Sequence, residues 1–256
     1  MEKRVRSLTL IPRAGFLVAL VLLGLTLAAK AQSGSFAVSQ NGKAVGTASF
    51  TFVSNPSGFD SSSVVRVEMQ GLSYQLSKNE ELSTSNGLKH VQLSAIVNNS
   101  AVNVVAKPDA AQFLLNISAN GRSSTTRLDA HNLTVFLPDF DPGALETLLA
   151  MAASSNNRDL WAIIPKQAGT IEPVQLATYP DEKGTLDGKP IVAHHLMATI
   201  GGNSTELFAG PENQLLQAEL PQQGFALVRK GFVLTPPAKP LAPPPAPGPT
   251  TNPTAQ

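Results

Sequence analysis

The stretch Val65-Arg66-Val67-Glu68-Met69-Gln70 alternates apolar with charged or polar residues at every position. Successive side chains of an extended chain point to opposite faces, so a period of two indicates a half-buried antiparallel strand. The same alternation recurs over 90–97, and segment 113–117 places three apolar side chains on one face. The pattern predicts a mainly β fold.

Four dipeptides mark tight turns between such segments: Asn41-Gly42, Asn120-Gly121, Asp187-Gly188 and Gly201-Gly202. These residue types tolerate the positive φ angles that two-residue hairpin loops require. We therefore expect strands that are neighbours in the sequence to pair, as an antiparallel meander.

One segment breaks the alternation, and we expect an amphipathic helix there, near 141–155. Asp141 suits the N-cap and Pro142 suits the first helical position, while the helix should end around Asn156-Asn157. Four apolar residues then follow at helical spacing. They are Leu145, Leu148, Leu149 and Ala152.

The helix divides a first set of about six predicted strands from a second set of five or six. Large antiparallel sheets twist and curl, and a single helix must bury its apolar face. We predict a curved, half-barrel-like meander sheet with the helix on its concave side. A two-sheet β-sandwich with the helix at one end is the alternative.

Residues 1–31 have the order of a secretory signal peptide: a basic stretch, an apolar run Ala14–Ala29 and the small-residue site Ala29-Lys30-Ala31. The apolar run is shorter than the roughly 20 residues of a spanning helix, which favours cleavage over a stable membrane anchor. The chain has no cysteine, which excludes disulfides and lipid attachment at a cysteine. We expect a bacterial-type protein exported to the periplasm or beyond.

Removal of this segment would leave fourteen basic and seventeen acidic residues. A nucleic-acid-binding protein is expected to keep a basic excess, so we exclude nucleic acid as a partner. Residues 236–256 are rich in proline and predict a disordered tail, since proline cannot donate to a ladder. The remaining 32–235 form the predicted β domain.

The enzyme motifs that carry a clear mechanism are absent. The sequence has no G-x-S-x-G, P-loop, dinucleotide fingerprint or H-E-x-x-H. We therefore predict neither an enzyme nor a cofactor. An unrecognised hydrolase would need His131 or His194 beside a serine or carboxylate.

The histidines give weak signals. In the pair His194-His195, the first is in phase with Leu196 and Ala198, which predicts a core-edge position, and the second is predicted to be a surface residue. Asp129 and His131 could share a strand face. Two ligands do not make a zinc centre, so no metal site is predicted.

The apolar segment Leu160–Ile164 predicts a central strand buried on both faces. Trp161 within it is more often a packing residue than a ligand contact. If the concave side of the sheet holds a cavity, five residues are candidates to line it. They are Trp161, His194, Leu145, Leu148 and Leu149.

The last third of the chain, with one N-terminal hairpin, resembles uncharacterised exported bacterial proteins with a lipoprotein-carrier-like half-barrel. The resemblance rests on Pro190–Gly201, Glu206-Leu207-Phe208 and the segment from Asn213 to Arg229, where a leucine pair precedes a strand, and on the hairpin Gly42–Gly46. It implies a curved sheet around a helix, with an apolar concave surface for lipid-like ligands.

The leading hypothesis is an exported, non-enzymatic protein that binds an apolar or lipid-like ligand in its curved sheet. The main alternative is a structural or interaction module that binds a protein partner of the cell envelope. In that case the sheet would be only a scaffold.

Overall fold

The computed structural model describes residues 31–155, 159–166 and 168–236. The predicted signal peptide up to Lys30, the predicted helix end at Asn156-Asn157 and the proline-rich tail beyond Pro236 lie outside the described residues. The statements that follow concern the described part of the chain.

Nine strands precede the helix α1, and eight follow it. The first nine are β1 (Ala31–Gln40), β2 (Lys43–Asn55), β3 (Gly58–Met69), β4 (Leu72–Ser83), β5 (Leu88–Val97), β6 (Ser100–Asp109), β7 (Gln112–Ala119), β8 (Arg122–Asp129) and β9 (Leu133–Phe136). The helix is α1 (Pro142–Ser155), and it is followed by β10 (Leu160–Ile164), β11 (Thr170–Thr178), β12 (Glu182–Leu186), β13 (Lys189–Ile200), β14 (Asn203–Ala209), β15 (Leu215–Leu220), β16 (Phe225–Arg229) and β17 (Phe232–Leu234).

The strands form one large, curved sheet that does not close into a barrel, as the sequence predicts. Strands β1 to β8 pair in sequence order, and so do β13 to β16. β1 lies between β2 and β16, and it therefore joins the two meanders. β9 pairs in parallel with β10, while the other pairs are antiparallel.

The predicted turn chemistry is confirmed at all four dipeptides. Each pair has positive φ at both residues; for example, Asn41 has φ 47° and Gly42 has φ 77°. Two consecutive positive φ angles are typical of the hairpin turn that matches the right-handed twist of its strands. The strand alternation is also confirmed: Val65 and Val67 are buried, whereas Arg66 and Glu68 are exposed.

Helix α1 begins as the sequence predicts. The Oδ1 atom of Asp141 accepts hydrogen bonds from the backbone N–H groups of Gly143 (2.9 Å) and Ala144 (3.3 Å), which makes Asp141 the N-cap. The helix packs against β2, β3, β9 and β15. It is buried around more of its circumference than an amphipathic surface helix, because it lies inside the concave side of the sheet.

The two halves of β13 bury opposite faces. Its C-terminal half pairs with β11, and Ala198 and Ile200 there belong to the main core. Its N-terminal half pairs with β12, which pairs in turn with β17, and Ala193 there belongs to a second small core with Phe208. The β-sandwich alternative is therefore met only locally, where β12 and β17 help to cover the outer face of the C-terminal meander.

Candidate functional site

The concave side of the sheet is only partly filled by α1 and β9, and beside them lies a groove of about 350 Å³, which we call the inner groove. Its wall is formed by inward-facing side chains of β4 to β7, and the loop residues Pro138 and Pro165 complete it. The principal wall residues are Leu93, Val97, Val102, Val104, Ile117 and Ala119.

The inner groove is deep at one end and open at the other. Val104, Leu93 and Ile117 are buried at its base, whereas Val97 and Val102 are only half-buried. The half-buried residues lie at the ends of β5 and β6 nearest their hairpin turn. The strand alternation that builds the sheet therefore leaves an apolar surface that solvent can reach.

The polar groups of the inner groove lie at its mouth. Lys166 Nζ contacts Asp139 Oδ1 at 2.9 Å, and both side chains are about half exposed. The Tyr74 hydroxyl donates to the carbonyl of Asp139 at 3.4 Å. Burial, together with the charges of Asp139 and Asp141, raises the pKa of Tyr74 well above its ordinary value, so this side chain contributes a neutral hydroxyl.

A smaller cleft, of about 110 Å³, lies on the other side of the loop that carries Asp139. Leu145 lines it, together with Ile200 and Leu227. Leu148 and Leu149 are buried side chains of α1 in the main core. That Leu145, Leu148 or Leu149 contacts a ligand stays a prediction.

The predicted burial of His194 and the predicted exposure of His195 were both wrong. The side chain of His194 is 46% exposed and contacts Asp181 Oδ1 through Nδ1 at 3.0 Å, whereas that of His195 is only 15% exposed. The reason is the change of buried face along β13: in the N-terminal half of the strand the odd-numbered residues face a core. His195 accordingly stacks on Tyr179 and on Phe208 of the second core.

Trp161 lies in a strand flanked by β9 and β11, as predicted for a central strand. Its ring is half-buried and stacks on the His131 ring, with 3.6 Å between centroids and 6° between planes. No group of three or more potential metal ligands occurs in the described residues. Contact of Trp161 with a ligand, like that of His194, stays a prediction.

Sequence reasoning missed a buried charged cluster beneath the N-terminus of α1, which we call the buried triad. Lys78 Nζ contacts Asp141 Oδ2 at 2.7 Å and Glu80 Oε2 at 3.0 Å, and all three side chains are fully buried. The sequence does contain a signal for their burial, because Lys78 and Glu80 are in phase with the buried Leu76 and Leu82 on β4.

Electrostatics bind the triad together. Burial alone would lower the pKa of Lys78, but the carboxylates of Asp141 and Glu80 more than offset it and hold that pKa above its ordinary value. Burial raises the pKa of Glu80, and Lys78 opposes this effect. The triad ties β4 to the helix N-terminus and so fixes the position of the loop that flanks the inner groove.

A further buried carboxylate, Glu146, lies within α1, one turn after its N-cap. Glu146 accepts hydrogen bonds from the Leu215 N–H at 2.7 Å and from the Gln32 side-chain amide. Burial raises the pKa of Glu146 to about 7, although the hydrogen bond from Leu215 and the charge of Arg229 act in the other direction. These contacts join the helix to β15 and to β1.

Comparison with known proteins gave no match. No protein family, no curated protein and no solved structure is similar to this chain at a significant level. In the described residues, no helix has both the length and the apolar character needed to cross a membrane.

Proposed function

We propose that this chain is an exported, non-enzymatic protein, periplasmic or extracellular, that binds an apolar or lipid-like ligand in the inner groove. The observation that carries the proposal is the apolar wall of the groove, which stays accessible beside α1. Its volume of about 350 Å³ is within the range of roughly 300–1,000 Å³ typical of small-molecule sites.

The chemistry of the groove favours an unbranched apolar chain with a polar end. The base offers aliphatic side chains, whereas the mouth offers the ion pair of Lys166 and Asp139. Burial of about eight methylenes at about 0.8 kcal/mol each would contribute about 6 kcal/mol. Association costs part of this gain, so we expect dissociation constants of tens of micromolar or weaker.

The test uses two neighbouring residues of β5 that face opposite sides of the sheet. Val97 lines the inner groove, while Ile96 is 46% exposed on the outer face. We expect the wild-type protein to bind the fluorescent apolar probe N-phenyl-1-naphthylamine. Val97→Trp fills the mouth and should weaken binding at least tenfold, whereas Ile96→Trp should leave it unchanged.

Native mass spectrometry of the protein purified under mild conditions provides a second measurement. The proposal expects a bound lipid that Val97→Trp loses. If the wild-type protein carries no lipid and binds no probe, the ligand-binding function is wrong. The alternative of a scaffold or interaction module, which predicts both negative results, would then be favoured.

A further inference from the structure

A second candidate site lies on the opposite, outer face of the sheet, where β2 to β5 form a hollow of about 400 Å³. We call it the outer hollow. Thr51, Ser62, Asn79 and Gln92 cross it in one row, each directly opposite the next in the strand register. The row spans roughly 15 Å at the usual strand spacing, which is the length of a short oligosaccharide.

This row is uncharged well beyond the hollow. It continues through Val105 on β6 and Asn116 on β7 to Thr125 on β8. The adjacent row, from Ser49 to Ser123, is uncharged too. Exposed faces of antiparallel sheets usually carry many charged side chains, whereas these two rows consist of hydroxyl and amide groups apart from Val64 and Val105.

The polar groups of the outer hollow differ from those elsewhere on the same face. On β5 to β8 the amide oxygens are already bonded within the sheet: the Ser94 hydroxyl donates to Asn103 Oδ1 at 2.9 Å, and the Thr125 hydroxyl donates to Asn116 Oδ1 at 2.7 Å. Among the described residues, the side chains of Asn79 and Gln92 make no such bond. Their amides therefore remain free to donate to and accept from a ligand.

The flanking residues add acceptors and no fixed positive charge. Asp60 and Glu81 lie directly opposite each other in the register, and Glu81 lies opposite His90. Like charges in a cross-strand pair are destabilising, and proteins tolerate such departures mainly at functional sites. No Lys or Arg is among the described residues that line the hollow, so an anionic polymer would be repelled.

From this geometry we infer that the outer hollow binds a neutral glycan, which lies across β2 to β5. Sugar hydroxyls both donate and accept hydrogen bonds, as do the free amides of Asn79 and Gln92, and the carboxylates of Asp60 and Glu81 accept from them. The site is separate from the inner groove, because the two lie on opposite faces of one sheet.

The test is affinity electrophoresis of the full chain in native gels that contain hydroxyethylcellulose, laminarin or dextran. We expect at least one of these neutral glycans to retard the wild-type protein. The double variant Asn79→Ala/Gln92→Ala should weaken binding at least tenfold. The matched control Asn103→Ala/Asn116→Ala removes two amides of the same face whose oxygens already accept hydrogen bonds within the sheet and which lie outside the hollow, and should change binding less than twofold.

A double substitution that neutralises both carboxylates distinguishes a glycan ligand from a cationic ligand. Asp60→Asn/Glu81→Gln removes both charges but keeps hydrogen-bonding groups, so it should weaken glycan binding less than Asn79→Ala/Gln92→Ala does, whereas it should abolish binding of a cationic ligand. The inference would be overturned if none of the three glycans retards the protein while polylysine does, and this double substitution abolishes the polylysine effect. Equal losses of glycan binding in the two alanine pairs would also overturn it. Val97→Trp should still bind glycan, so this site and the inner groove can fail separately.

Discussion

The buried triad gives the sharpest test of how the sheet holds its helix. Lys78→Met removes the ammonium group that lies 2.7 Å from Asp141 and 3.0 Å from Glu80, at a site with no exposed surface. Two carboxylates would then be buried without their cation. Breaking a buried ion pair from one side typically costs about 3–5 kcal/mol. The free energy of unfolding of a typical domain is only about 5–15 kcal/mol, so this loss is a large part of the total stability.

The matched variant is Lys78→Met/Glu80→Gln/Asp141→Asn, which removes all three charges. The substituted side chain at position 141 would still be able to cap the helix, because asparagine is as good an N-cap as aspartate. Replacing a buried ionic cluster as a whole is often close to neutral. We therefore expect the triple variant to be more stable than Lys78→Met by about 2 kcal/mol or more, although it carries two further substitutions.

The assay is urea unfolding followed by circular dichroism at pH 7.5 and pH 5. In Lys78→Met, burial holds the carboxyl pKa of Glu80 above its unfolded value, so the folded state binds a proton more readily. The difference in unfolding free energy between Lys78→Met and the wild-type protein should therefore shrink as the pH falls from 7.5 to 5. A single variant that loses less than about 1 kcal/mol, or a triple variant as unstable as the single one, would refute the reasoning.

Two further predictions concern α1. The pKa of Glu146 is about 7 in the folded protein and 4.5 ordinarily, so the folded state retains a proton between these values. The unfolding free energy should therefore fall by up to about 3 kcal/mol as the pH rises from 4.5 to 7, and Glu146→Gln should remove this slope in urea titrations. At Gly143, an added Cβ would lie 2.3 Å from Ser63 Oγ. Gly143→Ala should lower the unfolding free energy by about 1–3 kcal/mol, and Ser63→Ala in the same background should restore much of it; additive losses would show that the contact is not responsible.

The fold could be predicted from sequence where the signals are local. Alternation fixes which side chains of β3 and β5 face inward, and the positive φ of Asn41 and Asn120 follows from residue type. The strand number was underestimated, because segments such as Arg122–Asp129 carry polar residues on both faces. An edge strand needs little apolar surface, and its periodicity is correspondingly weak.

The sites depend on long-range pairing, which the local pattern does not contain. His194 and His195 were assigned to the wrong environments because β13 changes its partner from β12 to β11 partway along its length. The triad brings together Lys78 and Asp141, which are distant in sequence. The outer hollow was missed because its row of polar side chains emerges only when four strands are aligned in register.

The position of β1 has a consequence for how the chain folds. β1 pairs with β16 as well as with β2, and the Ser33 carbonyl accepts a hydrogen bond from Arg229, 196 residues away. Hairpins from β2 to β8 involve neighbours in sequence and can form early, whereas contacts across such a separation form slowly because a long loop must close first. β1 can pair early with β2 through the turn Asn41-Gly42, but its other edge must wait for β16, and until then that edge stays open to a chaperone or a second chain.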